Sequence, residues 1–234
     1  MTIQNSVILD LRGVTRSFAQ GGEIVKALKK TDFIANAGEM VAIIGPSGSG
    51  KSTFLTIAGG LQSPSRGKVL LNGIDISDLS LRQLSVVRLR EVGFILQASN
   101  LVSFLTVKKQ LQLLDKVSQR KTDEKAMNTL LKDLSIEKLR DKYPQELSGG
   151  ERQRVVIAKA LYGDSKLILA DEPTASLDTK KAHEVVGLLA HETHSQMKAT
   201  IMVTHDERLI RYCDKVYEMS DGVLTQRESH QKLQ

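Results

Sequence analysis

Residues 45–53 strongly limit what this chain can fold into. In order they are Gly45, Pro46, Ser47, Gly48, Ser49, Gly50, Lys51, Ser52 and Thr53. Glycines in a pattern G-x-x-x-x-G-K-S let successive backbone N–H groups turn inward and surround phosphate oxygens. An apolar run at 40–44 precedes the loop, and 52–58 can begin a helix whose positive end faces the phosphates. The pattern predicts a nucleotide site between a strand and a helix.

The Lys-Ser pair of this loop indicates how the phosphates are held. Lys51 is expected to reach the β- and γ-phosphates, and the Ser52 hydroxyl is expected to bind Mg²⁺. The alternative is an ordinary strand-to-helix connection. The position of Lys-Ser between an apolar strand and a helix favours the phosphate site.

Composition restricts the other functions open to the chain. Its 234 residues fit one large α/β domain with room for a small inserted subdomain. Five Phe, four Tyr and no Trp offer few platforms for stacked bases, so no nucleic-acid partner is expected. The single cysteine, Cys213, cannot form an intrachain disulfide. No apolar run approaches the roughly 20 residues of a membrane span, so a membrane role would require a partner.

Hydrophobic patterning divides the chain into three kinds of segment. Apolar and polar residues alternate in 7–18 and 25–34, which predicts antiparallel strands. Helical stripes at 107–117 and 126–134 predict a mostly helical insert from about 98 to 158. The continuous apolar runs 167–170 and 200–203 predict central parallel strands, with ligands at their carboxyl ends. Shorter strands are expected at 68–73 and 92–96, a helix at 183–196, and a frayed polar tail after Asp221.

Two adjacent carboxylates, Asp171 and Glu172, end the first of these buried runs. Neighbouring strand residues point in opposite directions, so Asp171 is expected to face Mg²⁺ while Glu172 faces the attacking water. The alternative is an exposed acidic turn before Pro173. The phosphate loop elsewhere in the chain favours the catalytic interpretation.

A second anion site is predicted at 147–151, where a Ser-Gly-Gly turn opens a helix. The phosphate loop of residues 45–53 is already expected to bind one nucleotide. A second phosphate-binding element in the same chain therefore implies that two copies of the chain share each nucleotide. Ser148 and Glu151 also have the spacing of a capping box, a local role that does not exclude the first.

These motifs, in this order, resemble the ATP-binding subunit of ABC transporters over nearly the whole chain. Residues 45–53 resemble the Walker A loop, 167–172 the Walker B strand, and 147–151 the family signature. Glu151 stands where many members have Gln. The resemblance therefore assigns Ser148, Gly149, Gly150 and Glu151 to nucleotide binding.

Further residues take their expected roles from the resemblance alone. Gln97 matches the Q-loop residue, a Mg²⁺ or water contact that also senses the membrane partner. Residues 176–178, which include Asp178, resemble the D-loop, and His205 matches the switch histidine that contacts the γ-phosphate. Phe18 stands where the family stacks an aromatic ring, more commonly Tyr, on adenine.

The resemblance also implies an architecture. The fold class is α/β: a P-loop NTPase with a RecA-like parallel-sheet core, an N-terminal antiparallel β subdomain and an inserted helical subdomain. Residues 1–234 would form a single ABC ATPase domain. Within it, 1–97 and 159–234 form the β subdomain and core, and 98–158 form the helical subdomain with the signature.

The implied activity is ATP hydrolysis with Mg²⁺ in a head-to-tail dimer of two copies. Glu172 would be the general base, with Lys51, Gln97 and His205 as the other catalytic groups. The dimer would bind a membrane-spanning permease on a separate chain, at the cytoplasmic face of the cell membrane. The expected docking surface is a groove beside Gln97 and residues 100–106.

Several stretches are similar to the macrolide- and lipoprotein-type exporter branch, and 98–102 and 204–209 to haem-efflux ATPases of Gram-positive bacteria. The expected cargo is an amphipathic or toxic compound, with haem as one candidate, or a lipoprotein or peptide. Two alternatives remain open. One is an ABC ATPase that transmits force across a membrane without transport. The other is a soluble ABC ATPase acting on DNA or ribosomes, although such proteins usually carry a second cassette or a long coiled coil.

Overall fold

The computed structural model describes residues 6–96, 98 and 100–227, and it consists of two β-sheets and surrounding helices. The strands are β1 (Val7–Gln20), β2 (Glu23–Asn36), β3 (Glu39–Ile44), β4 (Arg66–Leu71), β5 (Ile74–Asp75), β6 (Val92–Ile95), β7 (Leu167–Asp171), β8 (Ala199–Val203), β9 (Lys215–Ser220) and β10 (Val223–Gln226). The α-helices are α1 (Lys51–Ala58), α2 (Leu81–Glu91), α3 (Val107–Val117), α4 (Glu124–Asp133), α5 (Gly149–Tyr162) and α6 (Thr179–Ser195). Short 3-10 helices cover Glu137–Leu139, Pro144–Glu146 and Glu207–Tyr212.

The N-terminal sheet has the order β2-β1-β4-β5 and is antiparallel throughout. β1 and β2 are each 14 residues long, and their pairing runs from Val7 opposite Asn36 to Gln20 opposite Glu23. Their alternating residues, among them Leu9 and Leu11, are buried on one face. The predicted antiparallel strands are therefore confirmed.

The second sheet has the order β10-β9-β3-β8-β7-β6 and is parallel from β9 to β6. Every residue of β8 is buried. Ile201 belongs to the core beneath the N-terminal sheet and α1, whereas Met202 belongs to the core against α3, α5 and α6. A strand buried on both faces needs apolar residues throughout, so the continuous apolar runs correctly predicted β7 and β8.

The helical insert contains α3, α4, two of the 3-10 helices and the start of α5. Thr106, Asp123 and Ser148 cap the three helices, each accepting a hydrogen bond from a backbone N–H in the first turn. The predicted fold class, including this insert, is confirmed. α5 continues without a break past residue 158, and the exact division into subdomains stays a prediction.

One helix was missed from the sequence, and one expectation needs correction. α2 was not predicted, because Leu81, Val86 and Leu89 are exposed and leave no clear apolar stripe. The expected fraying after Asp221 is wrong for Val223–Gln226, which pair with β9 as an edge strand. None of the helices in the described ranges combines the length and apolarity that crossing a membrane requires.

Candidate active site

A cavity of about 440 Å³ opens at the carboxyl edge of the parallel sheet. The phosphate loop follows β3 there, the two carboxylates lie at the end of β7, and His205 follows β8. The lining residues are Ala27, Ser47, Gly48, Gly50, Lys51, Ser52, Thr53, Asp171, Glu172, Ala175, Val203 and His205. Sequence segments more than a hundred residues apart thus meet in one site.

The phosphate loop requires glycine at two positions where its backbone lies close to the backbone of neighbouring strands. Gly45 has φ 147°, and a Cβ placed on it would lie 2.1 Å from the carbonyl oxygen of Met219. Gly50 has φ 110°, and its Cβ would lie 2.3 Å from the carbonyl oxygen of Ala27. Both residues therefore combine a left-handed backbone with backbone neighbours that cannot move away cheaply. Gly45, Pro46 and Ser49 support the loop and are not among the residues that line the cavity.

Gly50→Ala is expected to weaken ATP binding much more than Gly48→Ala. Gly48 also has a positive φ, 78°, but a Cβ there meets nothing within 4 Å. Toward the rest of the protein, Gly48→Ala thus carries only backbone strain, on the order of 1–3 kcal/mol, whereas Gly50→Ala must also displace the loop from β2. Titration of each variant with a fluorescent ATP analogue measures the difference. Equal affinities would show that the contact with Ala27 does not hold the loop.

Lys51 begins α1, and its Nζ donates hydrogen bonds to the carbonyl oxygens of Gly45 and Pro46, each at 2.7 Å. These bonds hold the ammonium over the loop. Gly50 is the N-cap of α1 and has no side chain to satisfy the first-turn N–H groups. The N–H groups and the lysine together form a positive surface that suits phosphate oxygens.

Asp171 and Glu172 both line the cavity, and their separate roles toward Mg²⁺ and the attacking water stay a prediction. The expectation that they face opposite ways assumed that both belong to the strand. β7 ends at Asp171, and Glu172 adopts a left-handed backbone with φ 49° while its N–H donates to the carbonyl of Val203 at 3.0 Å. This turn brings the second carboxylate back to the same cavity.

Glu172 is paired with His205 across the ends of β7 and β8. The Oε1 atom of Glu172 lies 2.9 Å from Nδ1 of His205, within hydrogen-bond distance. The Glu172 side chain is 17% exposed, and that of His205 is 75% exposed. A largely buried carboxylate is thus held beside an exposed imidazole, an arrangement able to accept and position a proton.

The signature residues form a separate structure at the start of α5. The Ser148 Oγ accepts from the Glu151 N–H at 3.3 Å, and the Glu151 Oε2 accepts from the Ser148 N–H at 2.7 Å, which confirms the predicted capping box. The hydrogen bond from Ser148 also lowers the pKa of Glu151. None of the residues 148–151 is among those that line the cavity.

The D-loop lies against this signature turn. A Cβ on Gly150 would come within 3.1 Å of Leu177 and 3.2 Å of the Ser176 carbonyl oxygen. Asp178 caps α6 by accepting from the Lys181 N–H at 3.0 Å, and this bond lowers the pKa of Asp178. Asp178 does not line the cavity either, so these two motifs form one surface of their own.

The remaining predicted residues are placed as follows. Phe18 lies on β1, and the Arg16 guanidinium stands 4.7 Å from the centre of its ring. Phe18 is not among the residues that line the cavity, and Gln97 falls outside the described residues. The cavity also uses Ala27 and Val203, which the sequence analysis missed. Their small or aliphatic side chains carry no signal beyond strand formation.

Comparison with known proteins gives a consistent family. A family model described as "ABC transporter" matches residues 28–175. A protein of Staphylococcus saprophyticus, called a putative hemin import ATP-binding protein HrtA, is 44% identical over 93% of this chain and 98% of its own length. The protein of that name from Staphylococcus aureus strain MRSA252 is 42% identical over 93% of this chain and 99% of its own.

Solved structures agree with these relatives. The ATP-binding cassette MJ0796, described as a dimer in a post-hydrolysis state bound to ADP and Pi, superposes with a TM-score of 0.88 at 34% identity. The match covers 95% of this chain and all of that one. CbiO1 of Clostridium perfringens, described as part of the ABC transporter complex cbiONQ, gives a TM-score of 0.80 at 30% identity, covering 94% of this chain and 87% of that one.

Proposed function

Because the chain belongs to the ABC transporter family, as an ATP-binding subunit with ATPase activity, we propose that two copies of it close around ATP and power a membrane permease. The observation that carries this proposal is the separation of the two phosphate-binding elements. The cavity contains Lys51, Glu172 and His205 but none of the signature residues. A second copy, arranged head to tail, would supply Ser148 and Gly150.

The first half-site supplies the phosphate contacts. Lys51 and the N–H groups at the start of α1 line or border the cavity, where they would bind the β- and γ-phosphate oxygens. Ser47 and Gly48 line the same wall. Adenine would stack on Phe18, whose ring is already packed by Arg16 on one face.

Glu172 is proposed as the general base. Its carboxylate would accept a proton from the water that attacks the γ-phosphorus, and His205 would contact the γ-phosphate. The Glu172–His205 hydrogen bond of 2.9 Å supports this pairing, because it positions both groups at one wall of the cavity. Asp178, on the surface that the signature turn shares with residues 176–178, would contact the nucleotide or the partner subunit.

Mg²⁺ fits the donor set of this cavity. The Ser52 hydroxyl and the Asp171 carboxylate both line it, and oxygen ligands of this kind are those that Mg²⁺ prefers. Gln97 is the third proposed ligand. When bound, the ion would neutralise charge on the phosphates.

The permease is proposed to dock beside the helical insert, at the cytoplasmic face of the membrane. The C. perfringens relative is described as part of a transporter complex, which supports a membrane partner for this chain. Phe104, in the segment expected to dock, is 76% exposed, whereas Leu101 packs against the helical core. Phe104 is therefore the better probe of that surface.

The proposed substrate is hemin or a similar amphipathic compound. The support is the name of the Staphylococcus relatives, which match over nearly their whole length. The exporter-like motifs predict export, whereas those names say import, so the direction must be measured. The second candidate is transmission of force without transport, in which ATP hydrolysis would proceed without movement of hemin.

The proposal predicts that hemin stimulates ATP hydrolysis by this chain together with its permease, several-fold over the basal rate. The experiment is to reconstitute the co-purified complex in lipid vesicles, with the ATPase subunit either outside or inside. ATP-dependent movement of hemin away from the subunit's side means export, and movement toward it means import. Hydrolysis without hemin movement in either direction would overturn the transport assignment.

Phe104→Glu supplies the control for this assay. The exposed side chain should tolerate the change without loss of ATP binding, while a buried charge at the permease interface should prevent coupling. Stimulation by hemin should therefore disappear while basal hydrolysis is retained. If stimulation is unchanged, the permease docks elsewhere.

A further inference from the structure

The C-terminal end of α5 differs from that of the other α-helices. The C-cap N–H groups of α1, α2, α3, α4 and α6 donate to carbonyls of their own last turn. In α5 the C-cap is Gly163, which is extended with φ −75° and ψ 163° and makes no such bond within the described chain. The last carbonyls of α5 therefore need another donor, because a helix end leaves up to four of them unpaired.

The Ser165 hydroxyl donates to the Ala160 carbonyl at 3.4 Å, and Lys198 supplies a second donor from the core of the protein. Its Nζ lies 3.2 Å from the carbonyl oxygen of Gly163 and 3.5 Å from that of Leu161. Only 7% of Lys198 is exposed. A lysine is rarely buried to this extent unless its amine has hydrogen-bond partners such as these carbonyls. Burial lowers the pKa of Lys198, while the charges of Glu192 and Asp164 act in the opposite direction. An amine at this helix end also complements the helix dipole.

The backbone of Lys198 is firmly anchored. Its N–H donates to the carbonyl of Thr193 at the end of α6, at 3.0 Å, and its carbonyl accepts from the Gly38 N–H at 2.7 Å. The next residue, Ala199, begins β8 and donates to the Lys166 carbonyl at 2.8 Å. The Lys198 side chain thus extends from hydrogen-bonded backbone immediately before β8.

This contact joins two elements whose opposite ends carry active-site groups. β8 leads from Lys198 to Thr204 and His205, while α5 leads from Gly163 back to Ser148. A helix of 14 residues is a stiff rod, roughly 21 Å long, so the position of one end fixes the other along its axis. The buried side chains of α5 also resist sliding, and the bond at the helix end adds a restraint directed along the axis.

We propose that Lys198 is a positioning residue that fixes the axial position of α5 and thereby places Ser148 for contact with the nucleotide of a second copy. This inference rests on the proposed dimeric site. It predicts a selective defect: each protomer keeps its own phosphate loop, so single-chain ATP binding is preserved. Closure of the dimer is weakened, because the signature turn is presented out of place.

The test uses Glu172→Gln as the parent, in which ATP is expected to bind without being hydrolysed, and adds Lys198→Met, Lys198→Arg or Lys166→Met. Lys166 and Lys198 line one surface cleft, but Lys166 is exposed. Its side chain makes no hydrogen bond within the described residues, so Lys166→Met is the matched control. Three quantities are measured for each protein: affinity for a fluorescent ATP analogue at protomer concentrations too low for dimers, the ATP concentration that half-forms the dimer, and thermal stability.

Lys198→Met should raise the half-dimerisation concentration about tenfold, as expected for loss of a charged helix-end bond, and change single-chain affinity less than twofold. Lys198→Arg should restore dimerisation, since the guanidinium can donate to both carbonyls. A Lys198→Met dimer that forms like the Lys166→Met control would overturn the inference. So would a parallel loss of ATP affinity and dimerisation, which indicates general damage. If Lys198→Met does not fold, Lys198→Gln against Lys198→Arg makes the same comparison.

The parent protein keeps the two proposals separate. A parent that fails to dimerise with ATP overturns the proposed shared site, and the role of Lys198 falls with it. A parent that dimerises normally while Lys198→Met behaves like the control overturns the role of Lys198 alone.

Discussion

Glu172→Gln is expected to bind ATP and to lose turnover by about 10³-fold, within the range that general bases contribute. The amide keeps the size of the side chain and can still hydrogen-bond His205, which lies 2.9 Å from the carboxylate. It cannot accept the proton of the attacking water. With ATP intact, the proposed dimer should persist, so the variant should elute as a dimer with ATP and as a monomer without it. Phosphate release and size-exclusion light scattering measure the two effects.

A second carboxylate–imidazole pair provides the matched control. Asp214 Oδ2 lies 3.0 Å from His194 Nε2, away from the cavity, and also accepts from the Met40 N–H at 2.8 Å. Asp214→Asn keeps an acceptor for that N–H and should leave turnover within a few-fold of the parent. Hydrolysis by Glu172→Gln at the unaltered rate would remove Glu172 as the base. In that case, the rate of ATP hydrolysis by His205→Ala would test whether the histidine acts without Glu172.

The fold is predictable from the sequence where burial is continuous along a strand. β7 and β8 are buried on both faces, and burial of this kind requires continuous apolar runs that are visible in the sequence. α2 lacks such a signal because only Leu84 of its residues is buried. β10 is a short edge strand whose existence depends on pairing with β9, a contact that its polar sequence does not reveal.

The active site was predictable where it is made of consecutive residues. The loop from Gly45 to Thr53 carries its chemistry in its own order, and the Ser148–Glu151 capping box does the same. The sequence did not reveal how Glu172 reaches the cavity, because its backbone turn depends on Val203 of the neighbouring strand. Lys198 gave no signal either, since its partners are carbonyls 35 and 37 residues away. Contacts between strand ends and helix ends depend on tertiary packing.

Lys51→Ala is expected to reduce affinity for ATP by about 100-fold, because it removes charge-assisted hydrogen bonds worth about 1.5–3 kcal/mol each. In the structure the Nζ atom already holds the carbonyl oxygens of Gly45 and Pro46 at 2.7 Å. The substitution therefore removes both a phosphate ligand and an internal tether of the loop. Isothermal titration with ATP and with ADP measures the first effect, and the loss should be larger for ATP, since the lysine is proposed to reach the γ-phosphate.

Lys51→Met separates charge from packing, because it keeps most of the side-chain volume without the ammonium group. The two variants should lose similar affinity if the charge on the phosphates dominates. A surface control is Lys142→Ala, which breaks an exposed ion pair of 3.0 Å with Glu146 and should bind ATP normally. Unchanged ATP binding by Lys51→Ala would contradict the phosphate role directly. A loss confined to Lys51→Ala and absent from Lys51→Met would instead assign the effect to the shape of the loop.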